Sequence, residues 1–158
     1  MIQFKVLHRL HYSCTKLHSF YPEVSPLCSK CNSAEGSLGH LFWSCPKLER
    51  FWSDIFKFFS DVFDCVVAPD PHCAILGGYQ GLTPLSPHQH KSIQFGMIIA
   101  KRNILTLWKG AEVPSFKAWL AEMTNLLQME KIRYDVSLKS TMFDRIWQPF
   151  IDHLSKKK

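Results

Sequence analysis

CSKCNSAEGSLGHLFWSC, residues 28–45, is the stretch on which the reading of this chain turns. It carries Cys28, Cys31, His40 and Cys45 at the spacing Cys-x2-Cys-x8-His-x4-Cys. Zinc(II) prefers four tetrahedral nitrogen and sulfur ligands, and a Cys-x2-Cys turn sets two thiolates along one edge of that tetrahedron. Pro26 ahead of the pair and Asn32-Ser33 behind it are turn formers, as a short knuckle needs. Leu38 to Cys45 is apolar at helical spacing, and a helix ending near Cys45 turns His40 and Cys45 inward together. Three thiols and an imidazole close the coordination sphere, so the expected ion is architectural rather than catalytic. Two alternatives compete. Free cysteines are often small buried hydrophobes, but that does not explain a His and a third Cys at these intervals. A redox Cys-x2-Cys wants a strand before it and a helix beginning at the first Cys, where Ser25-Pro26 and Asn32-Ser33 stand instead.

Upstream, residues 2–12 (IQFKVLHRLHY) place Phe4, Leu7, His8 and His11 on one helical face. Residues 13–27 turn to Ser, Thr and Pro and read as a loop into the knuckle. His11, Cys14 and His18 lie near enough to be spare ligands, but the later four already complete the sphere. Downstream, Pro46 suits a first helical position. The predicted helix from Pro46 to Asp64 has an apolar stripe of Leu48, Phe51, Trp52, Ile55, Phe56, Phe58, Phe59, Val62 and Phe63. So regular an aromatic stripe reads as a core face, not as a platform for stacking bases. Residues 65–88 are an irregular connection rich in Pro and Gly, and its His72-Cys73 and His88-x-His90 have no further ligands at metal spacing. From His88 to Lys109 runs the most apolar helix, expected to be central, with the stems of Lys101 and Arg102 reaching out to solvent. Pro114-Ser115 opens a helix whose inward set is Phe116, Trp119, Leu120, Met123, Leu126 and Leu127. A last helix, Ser140 to Leu154, carries Phe143, Ile146, Trp147, Phe150, Ile151 and Leu154, with Pro149 positioned to bend it. The expected fold is all-α: an N-terminal helix and loop (1–20), a Cys3His zinc knuckle (21–46) and a multi-helix domain (47–158).

The 158 residues suffice for one ordinary core, and 46% hydrophobic with 13% aromatic content excludes a disordered chain. Lys5, His8, Arg9 and His11 break up the opening residues, which do not read as a signal peptide. No apolar run is long enough to span a membrane. Thiols committed to metal point to a reducing setting, cytoplasmic or nuclear. The net charge of +6 suggests an acidic partner such as nucleic acid. Neither a Gly-x-Ser-x-Gly nor a His-Glu-x2-His pattern occurs, and no aspartate pair is placed for metal-ion phosphoryl chemistry, so no catalysis and no small-molecule substrate are expected.

The runs HRLHY, LCSKC, GHLFWSCPKLERFW, SIQFGMIIAKRNILTLWK, MEKIRYDV and FDRIWQPFIDHL, in this order, resemble the C-terminal end of the large polyprotein of vertebrate long interspersed (non-LTR) retrotransposons. The resemblance covers about Phe4 to Leu154. It implies a zinc-binding segment that follows an endonuclease and a reverse transcriptase and works on the element's RNA, with the metal ligands falling on Cys28, Cys31, His40 and Cys45. The eight residues between Cys31 and His40 depart from the four of retroviral knuckles, so clamping of a single base in the retroviral manner is not implied. The expectation is a non-catalytic module for RNA or single-stranded DNA, with Lys30, Lys47, Arg50, Lys101, Arg102 and the tail Lys156-Lys157-Lys158 against phosphate. The alternatives are a structural domain that docks on a reverse transcriptase core, and a translated relic of such an element without function.

Overall fold

Serines start the longest helices. Ser86 accepts a hydrogen bond from Gln89 N–H (3.3 Å) while the Gln89 side chain accepts from Ser86 N–H (2.7 Å), a reciprocal capping box with Pro87 at the first helical position. Ser115 accepts from Ala118 N–H at 3.1 Å. The computed structural model describes residues 1–78 and 85–156. Gly81, Pro84 and the last two lysines of the basic tail lie outside them. The described residues form six α-helices: α1 (Ile2–Leu7), α2 (Cys14–Phe20), α3 (Glu49–Phe63), α4 (Pro87–Thr106), α5 (Phe116–Val136) and α6 (Ser140–Lys156). They include no strand, only a lone antiparallel bridge between Leu27 and Glu35. The all-α expectation holds.

Helix α4 is the central element, packed against α1, α5, α6 and a π turn at His72–Leu76. Its Gly96 is where α3 and α5 come closest. A Cβ there would lie 2.6 Å from Phe59 Cζ and 3.1 Å from Trp119 Cζ2, so only glycine fits. The Trp119 indole N–H donates to Gly96 C=O at 2.9 Å, satisfying a polar atom in the deepest part of the core. Phe58 meets Trp119 and Phe150 edge to face (5.6 and 5.4 Å between centroids), which brings in α6. The stripe read on α3 is buried from Phe51 to Phe59, with Val62 and Phe63 half-covered at its end. Pro46–Leu48 forms a separate 3-10 turn before that helix.

Three expectations need correction. The N-terminal helix stops at Leu7 and buries Val6, while Phe4 and Leu7 are exposed. Its inward face is chosen by a polar anchor: Gln3 Nε2 donates to the carbonyls of Ile75 (3.1 Å) and Leu76 (2.8 Å). Residues 13–27 are not all loop, because Ser13 caps α2 by accepting from Lys16 N–H at 3.2 Å. Lys101 does not reach solvent. It is 0% exposed, and its ammonium donates to Gln3 Oε1 and to Ile75 C=O (2.9 Å). In the middle of a helix covered by α1 and the His72–Leu76 turn, carbonyls are nearer than water. One hydrophobic cluster runs from Val6 through Cys28, Leu41 and Leu48 to Phe150, across the boundaries expected at 20/21 and 46/47.

Candidate metal centre

Cys28 and Cys31 sit on a tight knuckle. Asn32 N–H donates to Cys28 C=O (2.8 Å), and Asn32 itself takes a left-handed backbone (φ 52°), which Asn tolerates better than most residues. The chain then doubles back: Cys28 N–H donates to Ala34 C=O and Gly36 N–H to Pro26 C=O, both at 2.8 Å. Cys14 of α2 packs on this return. A Cβ on Gly36 would stand 2.7 Å from both Cys14 Cβ and Cys14 Sγ, so the knuckle needs glycine there.

His40 and Cys45 come from a π turn, His40–Ser44, rather than from the regular helix that the apolar pattern suggests. The difference matters. At about 100° per residue an α-helix would leave two residues five apart pointing well away from each other. The π turn brings Cys45 N–H back to His40 C=O (3.0 Å) and sets both residues on one side. Ser37 accepts from His40 N–H at 3.2 Å and starts the turn. Pro46 holds Cys45 in an extended conformation (φ −64°, ψ 122°) and ends it. The Trp52 indole donates to Phe42 C=O at 2.8 Å, fastening the turn to α3.

The four ligand atoms all lie within 4.8 Å of one another. Cys28 Sγ and Cys45 Sγ are 3.8 Å apart, and Cys31 Sγ and His40 Nε2 are 3.3 Å apart. A tetrahedral ion bonded at about 2.3 Å to sulfur and about 2.0 Å to nitrogen has edges of about 3.8 Å (S–S) and about 3.5 Å (S–N). The cluster therefore fits a four-coordinate metal ion. All six cysteines are free thiols, so no disulfide competes for these sulfurs.

Hydrogen bonding has already begun to prepare the thiolates. The Ser33 hydroxyl, with the backbone N–H groups of Ser33 and Ala34 and the His40 ring, holds the Cys31 thiol down at about 5. Cys45 goes the other way, pushed up to about 11 by burial, despite a backbone bond from Lys47 and with the neighbouring Cys28 adding to the rise. Three buried or half-buried sulfurs this close cannot all carry charge without a cation among them. A bound divalent ion removes that repulsion, and Lys30 N–H already donates to Cys28 Sγ at 3.4 Å.

The basic residues singled out in the sequence divide. Lys47, next to Cys45, and Arg50 at the start of α3 are exposed, with Arg50 3.8 Å from Asp54. Arg102 is exposed but paired with Glu122 at 3.1 Å. Lys30 is 5% exposed and bonds to the chain instead of reaching outward: its ammonium donates to Leu107 C=O (2.7 Å) and Gly110 C=O (3.1 Å), just past the end of α4. A cation there meets the negative end of the helix, which is what draws Lys30 in. Lys30 and Lys101 are thus buried and bonded to carbonyls, not extended toward solvent as a phosphate contact requires. Sequence reasoning read Ser33 only as a turn former and missed the supports Ser37, Gly36 and Trp52. Ser37, three residues before His40, was the one legible signal among them, since serines cap turns.

The fold and the site define an all-α protein with a Cys3His cluster able to hold a metal ion. No protein-family model matches the chain.

Proposed function

We propose that the cluster of Cys28, Cys31, His40 and Cys45 holds zinc as a structural ion. On this reading the chain is a non-catalytic module for RNA or single-stranded DNA, of the kind that closes non-LTR retrotransposon polyproteins. The observation that carries the metal assignment is the agreement of the 3.8 Å sulfur–sulfur edge with tetrahedral coordination by thiolates. Four protein donors close the sphere, so the ion shapes the chain and activates no water. The nucleic-acid part is supported by the charge of +6 and by the exposed Lys47 and Arg50 that follow the cluster in the chain. The resemblance of its ordered sequence blocks to such polyproteins points the same way. Metal analysis of protein purified without added zinc should give one zinc per chain, lost in Cys28→Ser. Filter binding of a single-stranded oligonucleotide should weaken by about 0.7 log unit per contact for each tenfold rise in salt. No retention at low salt, or a flat salt series, rejects the nucleic-acid reading.

A second reading, docking on a reverse transcriptase core, is favoured by one surface. Leu10, Tyr12, Val24 and Leu27 are exposed around a groove of about 740 Å³ floored by Trp108, with Phe20 packed on Tyr12. Tyr12→Ser with Phe20→Ser separates the two. Loss of association with a reverse transcriptase core, with oligonucleotide binding intact, supports docking; loss of neither removes it.

A further inference from the structure

Lys30 and Lys101 are turned inward, and beyond the exposed Lys47 and Arg50 one cavity outside the metal centre has the chemistry to hold phosphate. Where the α5–α6 turn closes over the start of α4, Lys91, Arg133, Tyr134, Ser137, Lys139 and Met142 enclose about 200 Å³. Three cations from three elements line it, and none of the residues lining it is acidic. Lys91 and Lys139 are exposed, and among the described residues neither ammonium joins an ion pair. The turn is held firmly: Lys139 N–H donates to Tyr134 C=O (2.8 Å), and Ser137 Oγ donates to Arg133 C=O (2.8 Å). Arg133 lies over the Tyr134 ring, 4.6 Å from its centroid, and its guanidinium is held by Glu130 at 2.7 Å. That carboxylate walls an adjoining groove of about 230 Å³ which Lys91, Arg133 and Tyr134 share with Trp147. The Trp147 indole N–H is buried there without an acceptor.

We propose that this cavity binds the phosphodiester backbone of single-stranded RNA or DNA, with Lys91 and Lys139 as the direct contacts and Arg133 released from Glu130 to join them. Lysines supply point charges to phosphate and an arginine supplies a planar fork; Arg133, on leaving the half-exposed Tyr134 ring it now covers, opens that face to a neighbouring base. The proposal rests on the nucleic-acid reading above and names its site. Converging cations, rather than cations scattered over one helix, are what mark the place out.

The test is fluorescence anisotropy of a labelled single-stranded oligonucleotide against zinc-loaded full chain over a salt series. Lys91→Ala with Lys139→Ala should lower the salt slope by about 1.4 and weaken binding on the order of tenfold at 0.15 M salt. Glu130→Gln, which frees Arg133, should tighten it. The matched control Lys57→Ala with Lys117→Ala, two exposed lysines that do not line the cavity, should leave the slope nearly unchanged. Circular dichroism and zinc content unchanged in all variants show that folding is not the cause. If wild-type protein binds and the Lys91/Lys139 variant binds equally well with the same slope, this cavity is wrong while the general reading stands. If wild-type protein does not bind, both fall.

Discussion

Gly36 and Lys101 show how much single residues decide here. Gly36 lets α2 rest on the metal knuckle, and an alanine would press into Cys14 and stand 3.2 Å from Cys28 Cα. Gly36→Ala should cost about 1–3 kcal/mol and release zinc faster to a competing chelator, followed with a colorimetric zinc indicator. Lys101 is a buried base without a carboxylate. Burial lowers it from the usual 10.5 to about 8, so folding disfavours its charged form. From about pH 8 to 10.5 the unfolded chain binds a proton that the folded chain has lost, and this residue's contribution to stability rises with pH. Below 8 its penalty is fully in force. Cys73, pushed up to about 12, works in the opposite direction above its ordinary value of 9.0. Lys101→Met removes the first effect and leaves Ile75 C=O still bonded to Gln3. Urea midpoints should show the wild type gaining on Lys101→Met between pH 8 and 9, and parallel curves would refute the assignment. At pH 7 the variant should be neutral or more stable.

Among the elements, the α5–α6 junction carries an avoidable strain. Leu138 N–H donates to Asp135 C=O and Lys139 N–H to Tyr134 C=O, a Schellman end in which Leu138 takes the left-handed position (φ 53°) usually held by glycine. Its side chain is 94% exposed, so nothing is lost by removing it. Leu138→Gly should stabilise by about 1 kcal/mol and raise Tm by about 2–4 °C in a thermal melt. The meeting of α3, α4 and α5 has no such slack. Gly96→Ala forces Phe59 and Trp119 apart, and Trp119→Ala opens a cavity and removes the indole donor at Gly96 C=O. The second should cost about 3–5 kcal/mol in denaturant unfolding. The π turn at His40–Ser44 carries the metal site in the same strict way, since a regular helix over these residues would carry Cys45 off the His40 side.

At the level of the whole molecule, metal site and core are joined but not equivalent. The core around α4 buries aromatic and aliphatic side chains from four helices, and none of these helical residues belongs to the Cys3His cluster. Chelation should therefore leave the helical circular dichroism largely intact. Amide exchange should rise over residues 27–48, and also over 105–111, because Lys30 carries the knuckle's order to Leu107 and Gly110. Exchange confined to the knuckle would show that the Lys30 link transmits nothing. Lys30→Met should uncouple the two regions while zinc stays bound.

Much of this was legible before any coordinates. The Cys-x2-Cys-x8-His-x4-Cys spacing named the four residues that the structure gathers within 4.8 Å, because a knuckle and a short turn bring such residues together locally. The 3.6-residue stripes named α3, α4, α5 and α6 and most of their buried faces, because apolar side chains at that period leave water only by packing. The π turn was not legible, since apolar spacing over five residues does not distinguish it from one turn of α-helix. Nor was the fate of the lysines. A lysine's stem and ammonium suit solvent or a cluster of carbonyls equally well, and only the approach of α1, the His72–Leu76 turn and the end of α4 put carbonyls within reach of Lys101 and Lys30. Likewise Lys91 lies far along the chain from Arg133 and Lys139, and the three share no motif. Local spacing settles from sequence what local geometry can bring together; which charges are buried, paired or gathered depends on contacts between distant segments, and those exist only once the helices have packed.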